Sequence, residues 1–416
     1  MRVLLLTLHF APDTVSNAVV VTELAEELAA RGHSVTVVAA LPYHQHHRIE
    51  PGFRGRLWQV DQHGPIRVFR TWLLLRGSKQ QLGGRLLAYA TFNLISSIVA
   101  AYTGPHDVVI TPSPPLTIGF FGWLLARHWR ASFVYNVQDI YPDASVKLGL
   151  MRSPGAVRFF SGLERFVYAR ADAVSVVSDD FRQNLLAKGV PDAKIALIPN
   201  GVDAEFIRPG PRDNAFAREH DLVGRFVALY AGNIGMAQDV ETLIESARLS
   251  GQSGKRFVIV GDGARADRAR TAARQLANVC YLPFQARVRL PEVYASSDVG
   301  VVLLRPGMAG SSMPSKVYSI MAAGKPVVAS VDSGSDIWRL VEEVGCGICV
   351  PAGDPAALTL ALDRLQHDGS DGLGERGRRH IEQYHTRAVV GQAYDQLLAR
   401  LRRQRTATRA PVSVIA

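Results

Sequence analysis

"YAGNIGMAQDVETLIESA", residues 230–247, decides the fold. It closes the apolar run "FVALYAG" (226–232), turns through Gly232-Asn233-Ile234-Gly235, and enters a helix. A strand that is apolar throughout belongs to a sheet covered on both faces, as in parallel βαβ units. The same plan repeats outward in both directions. Toward the C-terminus lie "FVIVGDG" (257–263), "NVCYLP" (278–283), "DVGVVLL" (298–304), "PVVAS" (326–330) and "GICVP" (347–351). Toward the N-terminus lie "KIALIP" (194–199), "AVSVVS" (173–178), "SFVYNV" (132–137), "DVVITPS" (107–113), "SVTVVAA" (34–40) and "VLLLTL" (3–8). Amphipathic stretches separate them, such as "NAVVVTELAEELAARG" (17–32), apolar at Val20, Leu24 and Leu28 and ended by Gly32. The Pro/Gly/Asp-rich "PNGVDAEFIRPGPRDNA" (199–215) divides two such series. The expectation is an α/β protein of two doubly wound Rossmann-like parallel-sheet domains facing across a cleft, 1–205 and 206–386. A closing amphipathic helix over 387–404 and a tail over 405–416, disordered or with a short ordered end, follow.

Composition narrows the function. A chain of 416 residues exceeds one ordinary core, and 47% hydrophobic with 20% charged residues is globular. The net charge of +10 is spread evenly: 21 Lys/Arg against 16 Asp/Glu in residues 1–210, and 26 against 21 in 211–416. A nucleic-acid domain would concentrate that excess, so no nucleic-acid partner is expected. Three cysteines make no disulfide framework and predict a reducing, cytoplasmic setting. Cys346-Gly-Ile-Cys349 has redox spacing, but "VGCGICVP" reads as a turn into a buried strand with no second ligand pair, hence core cysteines. The run Val3–Leu8 is too short for a signal peptide and lacks a cleavage site. The most apolar stretch, "LLAYATFNLISSIVAAY" (86–102), is interrupted by Asn93 and does not span a membrane.

In open parallel sheets ligands bind beyond the carboxyl ends of the strands. Three unusual turns fall there in the second half. Gly232, Asn233 and Gly235 form one; Gly261, Asp262 and Gly263, with Arg265 behind them, form the second. The third is "SSMPSKVYSIMAAG" (311–324), where Pro314 suits a first helical turn and the amides around Ser315 and Val317 face outward beside Lys316. Each alone reads as a tight βα turn. Jointly, with one lysine, they suit a diphosphate.

The order of "RGHSVTVVAA", "YNVQDIYPD", "ERFVYARADAVSVVSDDF", "IPNGVD", "GNIGMAQDVETLIESA", "VGDG" and "MPSKVYSIMAAGKPVVAS" resembles the GT-B fold glycosyltransferases of family four. The likeness is to the branch that builds O-antigen, capsule and exopolysaccharide, and it covers about residues 1–400. It implies a retaining, metal-independent transfer from a nucleotide-sugar, usually a UDP-sugar. It also implies a donor site in the second domain, an acceptor site in the first, and a last helix that packs back on the first. No cofactor and no metal are expected, and no Asp-x-Asp occurs in the chain. Lys316, with Arg265 or Arg305 and the helix starts, then neutralises the leaving diphosphate. The donor set is completed by Ser311, Ser312, Met313, Ser319 and Phe284. Where many relatives carry two glutamates, Ser311 and Ser319 stand here, and Met236 takes the place of a basic residue.

In the first domain Asp139 follows the strand 132–137, where relatives place a His-Asp pair and Gln138 replaces the histidine. Asp139 either orients the acceptor and supports oxocarbenium charge or caps a helix. Asp143 reads as a cap. Ser16 and Asn17, after the first strand, are candidates for phosphate or acceptor contact. His44, His46 and His47 lack nearby carboxylates and read as exposed or acceptor-facing rather than metal-binding. Residues 48–85 hold eight basic residues against Glu50 and Asp61, and lead into the apolar 86–102. That pairing suits peripheral association with the anionic inner face of the cell membrane, and an acceptor on a polyprenyl diphosphate or a growing glycan. The alternatives are a UDP-sugar 2-epimerase on the same fold and a non-catalytic sugar-nucleotide-binding subunit.

Overall fold

The computed structural model describes residues 1–13, 16–43, 48–76, 82–251 and 253–409. His44, His46 and His47 therefore lie outside the described residues, as do Lys79 and the last seven positions. The chain divides into two units. One comprises Met1–Pro142, Arg152–Pro199 and Ala388–Ala416; the other comprises Asp143–Met151 and Asn200–Arg387.

The first unit holds β1 (Arg2–Leu6), β2 (Ser34–Ala40), β3 (Trp58–His63), β4 (Ile66–Thr71), β5 (Val108–Pro112), β6 (Ser132–Val137), β7 (Ala173–Val176) and β8 (Ile195–Leu197). They form one eight-stranded sheet in the order β3-β4-β2-β1-β5-β6-β7-β8. All neighbours are parallel except the hairpin β3–β4. That hairpin is absent from the apolar-run reading. Polar and apolar residues interleave along its strands, and β3 is an edge strand with every second residue exposed.

The helices of this part of the chain are α1 (Ser16–Ala30), α2 (Leu82–Ala101), α3 (Thr117–Trp129), α4 (Asp143–Lys147), α5 (Pro154–Arg170) and α6 (Asp179–Ala187), of which α4 belongs to the second unit. Val3, Leu5, Val35, Val37, Ile110 and Val134 point to one face of the sheet, against Val21, Leu24 and Leu28 of α1. Successive strand residues face opposite ways. On the other face, Gly119 and Gly122 let α3 settle onto Tyr135, Thr111 and Phe133; a Cβ at Gly122 would stand 2.4 Å from the Thr111 methyl.

The second unit carries β9 (Phe226–Ala231), β10 (Lys255–Val260), β11 (Val279–Leu282), β12 (Val299–Leu303), β13 (Val327–Val331) and β14 (Gly347–Pro351). This six-stranded sheet is parallel, in the order β11-β10-β9-β12-β13-β14. Its helices are α7 (Ala215–Glu219), α8 (Val240–Ser250), α9 (Ala266–Gln275), α10 (Leu290–Ala295), α11 (Lys316–Ala322), α12 (Asp336–Val344), α13 (Pro355–Asp368) and α14 (Leu373–Tyr384). Apolar clusters cover both faces, one including Leu229, Val258, Met321 and Ile337, the other Tyr230, Ile259, Leu243 and Leu362. Cys346 is buried, and burial pushes its thiol and that of Cys349 up to about 12. Both are free.

The last helix, α15 (Arg387–Arg409), packs Tyr394, Leu397, Leu398 and Leu401 into the α1 face of the first unit. It runs past 404, correcting the expected start of the tail. Arg405 donates to the carbonyls of Asp107 and Arg130, which anchors that extra turn. Among the described residues no helix is long and apolar enough to cross a membrane.

Candidate active site

The carboxyl ends of β9, β10 and β12 bring the three predicted turns of the second unit together. Gly232 N donates to Val260 O at 2.9 Å, and Ile234 N donates to Asp262 O at 2.8 Å. The two glycine-bearing turns thus pack backbone against backbone. A Cβ on Gly261 would lie 1.9 Å from Gly232 O, and one on Gly263 2.5 Å from Ile234 O. Both also take φ near +150°, which side chains other than hydrogen avoid. The glycines at 261 and 263 are required by the contact between turns.

Lys316 opens α11 and reaches back over this platform. Its Nζ lies 3.5 Å from the Tyr230 ring centroid and 3.5 Å from a Cβ placed on Gly232. That amine is buried, and no hydrogen-bond partner reaches it. Burial without a counter-charge drives its pKa well below the ordinary lysine value. Such an amine holds its proton most readily when an anion arrives. Tyr230, missed by sequence reasoning, is fixed by its hydroxyl, which donates to Asn233 O at 2.6 Å. Strand alternation makes it look like ordinary core.

The flanking arginines are engaged. Arg265 forms a close ion pair with Glu241 at the start of α8, and Arg305 stands 3.8 Å from the same carboxylate. Their backbones fold onto the first turn as well: Arg265 N donates to Ile234 O, and Arg305 N to Ala237 O. Glu241 carried no signal in the sequence, because an acid in a first helical turn is commonplace. Gln238 closes the Gly235 turn by accepting from Gly235 N at 3.1 Å.

The stretch before α11 departs from expectation. Ser311 is fully buried and its hydroxyl is directed at Met308 O. Val317 N and Tyr318 N donate to Pro314 O and Ser315 O, so those two amides already have partners within the turn. Pro314 is buried, while Ser312, Met313 and Ser315 are half-buried. The preceding loop is held by Asp332, whose carboxylate accepts from Gly307 N and Ala309 N. Ser319 hydrogen-bonds the buried hydroxyl of Tyr294, which burial keeps raised to about 12. Asp262 is half-buried in the second turn, and Phe284, beyond β11, is exposed.

In the first unit Asp139 lies two residues past β6, with its carbonyl accepting from Ser113 Oγ at 3.0 Å. The next helix begins at Asp143, so Asp139 is not its cap, and Asp143 sits inside the helix as its first residue. Gln138 Nε2 donates to Asn136 Oδ1. Asn17 Oδ1 is buried without a hydrogen-bond partner in the first turn of α1, which starts at Ser16. The neighbouring loop holds a pair missed by sequence reasoning: His9 Nδ1 meets the buried carboxylate of Asp13 at 3.1 Å, and the His9 ring stacks on Tyr43. Among the described residues no three His, Cys, Asp or Glu side chains converge to hold a metal ion.

Residues 18–201 match the glycosyl transferase 4-like domain, and residues 225–368 match the glycosyl transferases group 1 domain. The chain is 28% identical over 321 residues to the probable glycosyltransferase WbjE of Pseudomonas aeruginosa, covering 76% of this chain and 80% of that one. It is 27% identical over 373 residues to the putative colanic acid biosynthesis glycosyl transferase WcaI of Escherichia coli, covering 87% and 91%. Among solved structures, Anabaena Alr3699/HepE in complex with UDP-glucose superposes with a TM-score of 0.70 at 17% identity, covering 95% and 99%. That superposition speaks for the GT-B fold.

Proposed function

Since the chain belongs to the family-four/group 1 glycosyltransferases of GT-B fold, we propose that it moves a sugar, with retention, from a UDP-sugar to a lipid-linked or growing glycan in surface-polysaccharide synthesis. One observation carries the donor half of this reading: the buried, unpartnered Lys316 amine held against Gly232 and the face of Tyr230. A buried cation without a counter-charge is costly, and a diphosphate relieves it. UDP is favoured over other nucleotides by HepE, whose complex holds UDP-glucose, and the polysaccharide role by the name of WcaI, a putative colanic acid biosynthesis glycosyl transferase.

In this mechanism Lys316 takes the charge that develops on the leaving diphosphate, and it gains most when the sugar–oxygen bond breaks. The acceptor oxygen bonds to the anomeric carbon on the face that UDP leaves. Its proton passes to the departing phosphate oxygen, so no separate base is required. Arg265 and Arg305 supply further charge once the diphosphate competes with Glu241. Gly232, Asn233 and Gly235 line the same platform. Ser319 with Tyr294 offers a neutral contact to the nucleoside, and Asp139 orients the acceptor. Asn17 contacts acceptor or phosphate, while the side chain of Ser16 lies outside the described residues. No metal is assigned to the diphosphate. The acceptor lipid places the enzyme at the anionic face of the cell membrane.

The test is UDP-sugar labelled in the sugar, incubated with the protein and a polyprenyl-diphosphate sugar, with and without chelator. Label in the lipid fraction that survives chelator supports the reading. Isomerised free donor would make the protein an epimerase, and UDP binding with neither product a binding subunit. Transfer abolished by chelator would overturn the metal-free account.

A further inference from the structure

The helix α2 is apolar on its outward face as well as its inward one. Its buried stripe, Ala88, Phe92, Ser96 and Ala100, is joined by Asn93. Asn93 Nδ2 is used inward, donating to Thr117 Oγ1 at 2.7 Å. The outward stripe recurs every four residues as Leu86, Ala90, Leu94, Ile98 and, just past the helix, Tyr102. Leu94 is 57% exposed, Ile98 53% and Tyr102 86%. The inward face thus mixes apolar and polar side chains, while the outward stripe is apolar throughout. Positions four apart share a helix face, so this is one continuous ridge. Over 20 residues it runs about 30 Å.

The ridge has neighbours of the same kind. The layer continues from α2 to α3 to α5, and Leu124 on α3 and Phe159 on α5, the latter 65% exposed, also face outward. On the sheet edge, Trp58 and Val60 of β3 pair with Thr71 and Phe69 of β4. Strand alternation sets them opposite Val68, which faces α1, and so on the α2 side. Both are exposed.

Charge settles what covers this face. Arg127 on α3 and Arg158, Arg165 and Arg170 on α5 are exposed, and Arg67 of β4 points the same way. The three helices contain a single carboxylate, Glu164, which is buried and paired with Lys188. A second copy meeting this face would set like charges opposite each other. An anionic surface with an apolar interior satisfies both components. The basic residues of 48–76 that sequence alone assigned to this task divide differently. Arg70 is buried, paired with Asp61 and donating to Ala11 O, so it is unavailable to a lipid.

We propose that the α2–α3–α5 layer, with Trp58 and Val60 at its margin, is the surface on which the first unit lies on an anionic bilayer, α2 parallel to the membrane plane and its ridge among the acyl chains. The proposal rests on the lipid-linked acceptor for its purpose; its evidence is the exposed ridge and the one-signed charge around it.

The experiment is flotation of the full chain with vesicles of phosphatidylglycerol and phosphatidylcholine, or of phosphatidylcholine alone, with UDP affinity measured in parallel by calorimetry. The chain floats with the anionic vesicles, and less so as ionic strength rises. The double substitution Leu94→Glu/Ile98→Glu cuts the floated fraction at least about tenfold, as expected for charges placed in the buried ridge. Leu249→Glu, at an equally exposed leucine on α8 of the second unit, leaves it unchanged. Phe159→Asp on α5 gives an independent reading and lowers flotation in the same direction. Unaltered flotation of both ridge variants overturns the surface. So does a dimer in sedimentation that Leu94→Glu dissociates, which would assign the ridge to a second copy. Absent flotation with intact UDP affinity removes the membrane face and leaves the transferase reading standing. Lost UDP affinity with intact flotation does the reverse.

Discussion

The two sheets finish their carboxyl edges in different materials. In the second unit the edge is backbone: the Gly232 and Gly261 turns hydrogen-bond each other through main-chain groups, with glycine where any Cβ would strike a carbonyl. In the first unit it is side chain. Ser113 Oγ links Gln138 N and Asp139 O, Gln138 reads Asn136, Asn136 bonds Ser175 and Tyr394, and His9 pairs with Asp13. A backbone edge presents one fixed shape to a ligand part that never varies, such as a diphosphate. A side-chain edge is respecified by single substitutions, which suits the side that, in the function proposed above, matches a particular acceptor.

The strongest way to break this contrast is to compare one residue from each edge. Gly261→Ala drives a Cβ into Gly232 O and forces an L side chain to φ +152°. It should cost about 3 kcal/mol or more of stability in chemical denaturation. Ser113→Ala removes one hydroxyl and should cost about 1 kcal/mol. Equal costs would show that the backbone edge is no less forgiving than the other.

Next comes Lys316, the amine that reaches back over the backbone edge. Lys316→Ala should weaken UDP binding by ~1.5–3 kcal/mol, the range for a charge-assisted contact. Unchanged affinity in calorimetry removes the amine from the donor site. The same lysine predicts a pH effect with a definite sign. Its folded pKa lies well below the ordinary 10.5, so the unfolded chain binds the extra proton. The penalty is complete below the folded pKa, shrinks as pH rises, and is gone above 10.5. Lys316→Met should therefore be more stable than the parent at low pH, with the gap closing toward 10.5. UDP binding above the lowered pKa should take up a proton, seen as a buffer-dependent binding enthalpy that Lys316→Met abolishes.

The backbone edge was legible in sequence, whereas of the side-chain edge only Gln138 and Asp139 were, for the same physical reason. Glycine at a strand end has few uses, so "GNIG", "VGDG" and the Lys316 junction point to one another before any coordinates exist. Hydrophobic runs found the other twelve strands; β3 and β4 escaped because polar and apolar residues interleave along them instead of running apolar. Asn136, Ser175 and Tyr394 sit far apart in the chain and act only through distances of 2.5 to 3.1 Å. Glu241 was invisible because its meaning comes from Arg265 and Arg305, brought to it by two different strands.

The first unit supplies a medium-sized test. Asp139→Asn keeps the shape and the main-chain bonds to Ser113 while deleting the charge. Turnover should fall by about tenfold, near 1.4 kcal/mol of barrier, with UDP affinity unchanged. A change in UDP affinity instead would put Asp139 with the donor and blur the division between the two edges.

The smallest effect sharpens the contrast most, because it asks whether the backbone edge holds its arginines back. Glu241 occupies both Arg265 and Arg305 in the free protein, with all three side chains partly exposed. A diphosphate must therefore displace a carboxylate before either guanidinium can serve it. Glu241→Gln keeps the volume and a hydrogen-bond acceptor but withdraws the competing charge. UDP should bind more tightly by about 0.5–1 kcal/mol, the scale of a partly solvated ion pair, and the gain should shrink with added salt. Affinity that falls instead would mean that Glu241 positions the arginines, and that Lys316 does not meet the diphosphate alone even at first contact.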